Sequence, residues 1–153
     1  MASSKAAVGI LQSGDQTLLI RRVEFPGDPW SGNIAFPGGH IKDGETVHEG
    51  LLREINEEVN LELNESQIVR ALESVRPFRA PDLMVYPFIL TVGDFSAARP
   101  GPEVAEIKVV NLRDYRETRH PTNGFPALDY QGWIVWGLTY RVITGFLGIG
   151  PKP

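Results

Sequence analysis

The chain has no cysteine. Disulfides and thiolate-held metal centres are therefore excluded. It has no apolar run close to the roughly 20 residues that a membrane-spanning helix needs. It has no surplus of positive charge either: the formal net charge is −4, which leaves no broad basic field for nucleic acid. Residues 1–5, MASSK, lack the charged-then-apolar pattern of a secretory signal. These absences predict a cytoplasmic protein with neither a membrane nor a nucleic-acid partner. An acidic chain that acts on an anionic substrate needs local help, from metal ions or a few placed arginines. What remains fits a globular protein, with 42% hydrophobic and 22% charged residues. At 153 residues, with no internal repeat and no linker, one domain over 1–153 is expected.

Residues 5–11 (KAAVGIL) and 16–22 (QTLLIRR) read as two strands joined through Ser13, Gly14 and Asp15. Residues 23–33 hold two prolines and two glycines and read as a loop, with Trp30 as its packing anchor. Residues 34–36 enter a glycine turn at Pro37, Gly38 and Gly39. Further strands are predicted over 68–75, 83–92 and 107–112, with a loop at 97–102 and a short helical turn at 112–115. Residues 119–131 read as irregular, 134–146 as a helix, and 148–153 as a loose tail.

The most informative segment lies between these. Val47, Leu51, Leu52, Ile55 and Val59 recur at three- and four-residue steps and predict one apolar helix stripe. Thr46 with Glu49 three residues on fits a capping box, so the helix should start near Glu45 or Thr46. Asn60 follows the last apolar position and suits a left-handed cap. Glu54, Glu57 and Glu58 share a different face. A solvated, charged face is the ordinary reading of such a cluster. Two adjacent glycines just before the helix shift the balance, because they let backbone approach a ligand or metal closely. Three crowded carboxylates repel one another, and a hard divalent cation with oxygen ligands relieves that repulsion.

From Gly39 to Leu61 the chain reads G-x5-E-x7-R-E-U-x-E-E-x-N-U, with U an apolar residue. This resembles the box of the Nudix hydrolase family at every defined position but Asn60, where the family has glycine. The resemblance implies an α/β fold, an α/β/α sandwich around a mixed sheet. It also implies hydrolysis of the diphosphate linkage in a nucleoside diphosphate derivative, with Mg²⁺ or Mn²⁺ as cofactor. By position, Glu54, Glu57 and Glu58 would be metal ligands, and Gly38 or Gly39 would lend a backbone carbonyl. Glu54 would also take a proton from the attacking water. Glu45 and Arg53 would form an ion pair that braces the loop and helix. A further carboxylate often completes such sites, and Glu103 is preferred here over Glu106. A homodimer is the assembly that fold-level analogy suggests.

Three flanking stretches resemble the coenzyme A diphosphatase-like subgroup. They are Arg22 with Gly32 and the segment from Phe36 to Gly39, then VYPFI at 85–89, then IVWGLT at 134–139. The subgroup's serine after the arginine and its Leu-Arg-x-His spacing are absent, with Val23 in the serine position. ADP-ribose, a dinucleoside polyphosphate or an oxidised nucleoside triphosphate therefore stand as alternative substrates. A catalytically silent nucleotide-binding domain is a third reading, although such a domain would be expected to lose box carboxylates, and all three are present. Arg22, Phe36, Gly39, His40, Arg76 and Arg79 are the candidate substrate-binding residues. Both Arg76 and Arg79 sit on a proline-flanked loop and read either as phosphate donors or as solvated arginines. Phe88 and Trp136 read as core aromatics, and His48 and His120 as structural.

Overall fold

The computed structural model describes residues 4–24, 26–27 and 32–149. The expected anchor Trp30 lies outside them, as do residues 150–153 of the expected tail.

Two long strands, β1 (Ser4–Ser13) and β2 (Gln16–Arg22), form the expected hairpin, but they pair only at its tip, Gln12 with Thr17 and Ser13 with Gln16. Beyond the tip they part, and β3 (Ile34–Ala35) and β4 (Gly38–His40) fill the gap. Thus β3 pairs with β2 through Ile20 and Arg21, and β4 pairs with β1 through Ala6, Ala7 and Val8. The glycine segment, expected as a turn, is a strand in the middle of the sheet. Glycine makes this possible: a Cβ on Gly38 would stand 2.1 Å from the Ala7 carbonyl oxygen. The helix α1 (Val47–Val59) follows, then β5 (Ile68–Ala71) and β6 (Leu83–Thr91). Strand β6 runs parallel to β1 along its length, and β7 (Val104–Val110) lies antiparallel to β2. The sheet is therefore mixed.

The strand expected over 68–75 ends at Ala71, with Val75 making a lone bridge to Val85. The segment 112–115 is a turn, not the expected helical one, closed by the Asp114 N–H on the Asn111 carbonyl (2.9 Å). The larger correction is at 116–136. An antiparallel three-stranded sheet of β8 (Arg116–Arg119), β9 (Pro126–Tyr130) and β10 (Trp133–Trp136) replaces the irregular stretch and the first turn of the expected helix. Pro126 opens its strand, the position where a missing N–H is tolerated. The turn from β9 to β10 puts Gln131 and Gly132 at φ of 53° and 94°, the positive values a two-residue hairpin demands. Trp133, Ile134, Val135 and Trp136 are aromatic or β-branched and suit a strand. Helix α2 (Gly137–Leu147) then closes on Gly148 in the left-handed conformation.

The alternation of β1 and β2 assigns the two faces. Leu11, Leu18 and Ile20 meet Leu51, Ile55 and Val59 of α1 on one side, with Phe88 buried among them as expected. Ile10 and Leu19 meet Leu128, Tyr130, Val135, Val142 and Ile143 on the other. One outer layer is α1; the second combines α2 with the small sheet. The capping box forms as expected: the Glu49 N–H donates to Thr46 Oγ1 (3.1 Å) and the Thr46 N–H to Glu49 Oε1 (2.8 Å). Asn60 adopts the left-handed cap, φ 58° and ψ 34°.

Candidate active site

Packing of the apolar stripe of α1 on the sheet turns Glu54 and Glu58 toward β4. Glu58 is only 4% exposed. Its Oε1 accepts the Gly38 N–H at 2.6 Å, and its Oε2 lies 3.9 Å from Arg22 Nη1. Burial pushes its carboxyl up to about 7, and the charges of Glu54 and Glu103 act in the same direction, against the Gly38 hydrogen bond and Arg22. Glu54 is also raised, by burial first, with Glu57 and Glu103 adding repulsion and Arg53 opposing. Gly39 lies directly against this residue: a Cβ there would stand 2.6 Å from the Glu54 carboxyl carbon.

Arg53 organises the carboxylates around itself. Its Nε and Nη2 grip Glu45 at 2.6 and 3.0 Å, a two-point fork. That hydrogen-bonded fork holds the Glu45 carboxyl down at about 2, helped by the Lys42 N–H. The Nη1 donates to Glu54 at 2.9 Å and to Glu57 at 3.2 Å, and the Nη2 reaches the His40 carbonyl at 3.1 Å. The expected Glu45–Arg53 brace thus ties the 40–45 loop to α1 and orients two glutamates at once. Gly38, expected as a carbonyl donor to a metal, acts here through its N–H on Glu58.

Glu103 and Glu106 separate clearly. Glu106 pairs with Arg21 at 3.4 Å on the adjacent strand. Glu103 bears electrostatically on both Glu54 and Glu58. Among the described residues no three acidic or histidine side chains already stand in coordinating geometry. The donor set nonetheless fits a hard divalent cation: its oxygens are carboxylates, and Glu54 and Glu58 stay raised by burial and carboxylate repulsion even with Arg53 and Arg22 beside them. Glu54 meets Arg53 through Oε1 and would offer Oε2 to the ion, while Glu57 would exchange its Arg53 hydrogen bonds for it.

On the other side of β4 lies a cleft of about 230 Å³. Its walls include Val8, Ile34, Phe36, Leu83, Val85 and Trp136, and Arg22, Gly38, Gly39 and His40 line it where it adjoins the carboxylates. Trp136, expected in the core, is instead half-buried on this wall, with Phe125 stacked on it at 6.0 Å and His120 tilted over it at 5.1 Å. The tryptophan stands on β10, a strand where the helical spacing predicts a helix. Arg76 and Arg79 do not line the cleft. Both are exposed, and Arg76 donates to the Pro81 carbonyl at 2.8 Å.

A family model described as the NUDIX domain matches residues 3–130. The chain belongs to the Nudix family. It is similar to the ADP-ribose pyrophosphatase of Methanocaldococcus jannaschii, at 43% identity over 56 residues, 37% of this chain and 31% of that one. It is similar also to the RNA pyrophosphohydrolase of Ectopseudomonas mendocina, at 38% identity over 80 residues, 51% of this chain and 46% of that one. The chain thus spans less than half the length of either relative, and neither is named for coenzyme A. A crystal structure of a MutT/nudix family protein from Enterococcus faecalis superposes with a TM-score of 0.69 at 21% identity, over 97% of this chain and 62% of that one. That likeness bears out the expected α/β fold with a mixed sheet.

Proposed function

We propose that this Nudix chain hydrolyses the diphosphate linkage of a small nucleoside diphosphate derivative with Mg²⁺ or Mn²⁺. The organic part of the substrate lies in the apolar cleft and the diphosphate beside Gly38, Gly39 and Arg22. One observation carries this reading. Arg22 with Phe36, Gly38 and Gly39, then Val85, then Trp136 to Thr139 come from three distant stretches of sequence, and all line one cleft next to the carboxylates.

In this reading Glu54, Glu57 and Glu58 hold the ion, with Glu103 and a backbone carbonyl of Gly38 completing its surroundings. The ion, when bound, neutralises diphosphate charge and lowers the pKa of the attacking water. Arg53 holds Glu54 in place, and Glu54 accepts the water's proton. The Gly38 N–H fixes Glu58. Arg22 meets a substrate phosphate, while Phe36 and His40 form wall. Arg22 is the one arginine or lysine among the described lining residues, so a long polyanion gains little here. A small nucleotide suits the site better.

Coenzyme A is the first candidate, on the flanking resemblance. ADP-ribose is the second, favoured by the relative of that activity. The test is a panel of coenzyme A, ADP-ribose, dinucleoside polyphosphates and nucleoside triphosphates, with Mg²⁺ or Mn²⁺ and product identification by mass. Cleavage at a diphosphate linkage is expected. Folded protein that turns over none of them refutes the reading, and a higher kcat/KM on ADP-ribose replaces the first candidate with the second.

A further inference from the structure

The loop that carries Glu103 also grips the end of α1. A helix leaves its last four carbonyls without intrahelical partners. Here the Gly101 N–H donates to the Glu58 carbonyl at 2.8 Å and the Arg99 N–H to the Val59 carbonyl at 2.9 Å. The contact is backbone on backbone: a Cβ on Gly101 would stand 1.9 Å from the Glu57 carbonyl oxygen. Asn60 adds a bond of another kind. Its side-chain amide donates to the Arg99 carbonyl at 2.7 Å. Glycine, which the Nudix pattern has at this position, makes the same left-handed turn but has no side-chain amide to donate.

The loop is braced within itself. The Asp94 carboxylate accepts the Ser96 N–H at 2.9 Å and its hydroxyl at 2.6 Å. The Arg99 guanidinium donates to the Ser96 and Ala98 carbonyls at 2.9 and 2.7 Å, and the Val104 N–H to the Gly101 carbonyl at 3.1 Å. Phe95 and Ala98 pack against the core under α1. A segment tied in this way shifts as a unit, so its docking on α1, together with the Val23 N–H that donates to the Glu103 carbonyl at 3.0 Å, sets where Glu103 stands.

We propose that Asn60 is a positioning residue: its amide latches the 94–103 loop to the end of α1 and thereby sets Glu103 against the glutamates of that helix. The proposal rests on the reading that Glu103 completes a metal site with Glu54 and Glu58. It explains the one departure from the family pattern as a gain of a contact.

The test measures Mn²⁺ affinity by calorimetry on the intact chain, for wild type, Asn60→Gly, Glu103→Gln and the double variant. Asn60→Gly keeps the turn and removes only the amide. It is expected to weaken Mn²⁺ binding severalfold, with about fivefold, the worth of one net neutral hydrogen bond, as the ceiling. In the Glu103→Gln background the same change is expected to have almost no effect, because its action runs through Glu103. Faster amide hydrogen exchange at Arg99 and Gly101 should accompany it. Unchanged affinity in Asn60→Gly, or an equal fall in both backgrounds, overturns the latch while leaving Glu103 in the metal site. Unchanged affinity in Glu103→Gln alone removes Glu103 from that site, and the latch falls with it.

Discussion

Glu58 makes a quantitative prediction about the metal-free protein. Its carboxyl stands at about 7 in the fold against an ordinary value of 4.5. Between these values the folded chain keeps a proton that the unfolded chain has released. The native state therefore binds more protons, and stability falls as pH rises through this window. At 1.36 kcal/mol per unit, a shift of this size removes about 3 kcal/mol of stability by pH 7. For a domain of this length that corresponds to a fall in Tm of roughly 6–12 °C. Glu54 is raised as well and adds a decline of the same sign. Glu45, Asp94 and Asp129 are lowered, so their stabilisation is lost only as pH falls below the ordinary carboxylate range, and they do not mask the effect. Differential scanning calorimetry in a chelating buffer at pH 5 and pH 7.5 reads most of this decline. Glu58→Gln, which carries no titrating proton, should flatten most of the slope. Mg²⁺ at about 100 times its dissociation constant should restore about 2.7 kcal/mol at the higher pH. A Tm that holds steady or rises from pH 5 to 7.5, or an equal decline in Glu58→Gln, refutes the reasoning.

Glu57→Gln should lower kcat/KM on the cleaved substrate by two or more orders of magnitude with Tm within a few degrees, since its side chain is 54% exposed and the change removes the proposed metal ligand and one exposed ion pair with Arg53; equal turnover would contradict the metal assignment. Gly39→Ala should cut kcat sharply, because the new methyl occupies the place of the Glu54 carboxyl, and a crystal structure of the variant should show that side chain displaced. Trp136→Ala should raise KM by about tenfold while leaving metal affinity unchanged, because it removes cleft wall and touches none of the glutamates; a change in Mn²⁺ affinity by calorimetry would argue against this division.

The helix and its charges were legible because local rules govern both. Spacing put Leu51, Ile55 and Val59 on one face, and the Thr46–Glu49 box marked the start; all of these act within a few residues. The strand at Gly38–His40 was not legible, because glycine signals a turn locally. What makes it a strand is the gap that opens when β1 and β2 part, a long-range event. The hairpin of β9 and β10 was missed for a related reason: Gln131 is not an ordinary residue for a positive φ, so the turn carried half its usual signal. Reading Ile134 onward as helix then hid the cleft face of Trp136. Arg76 and Arg79 show the reverse failure, where plausible charge on a loop does not line the cleft.

The β4 strand explains how these parts can work together. The carboxylates belong to the α1 side of the sheet and the cleft to the α2 side, so a side-chain-bearing strand between them would separate substrate from metal. Gly38 and Gly39 reduce that partition to bare backbone. One donates to Glu58, the other lies against Glu54, and both line the cleft. Arg22 touches the same two regions from β2, reaching toward Glu58 while lining the cleft. A diphosphate held at this strand would have its organic group in the apolar cleft and its phosphates at the glutamates. In this arrangement the proposed reaction would depend on residues of one helix face, while substrate choice would depend on β3, β6, β10 and the start of α2. Recognition can then change along those elements without disturbing the carboxylates, which is why the box specifies the chemistry and leaves the attached group to the cleft.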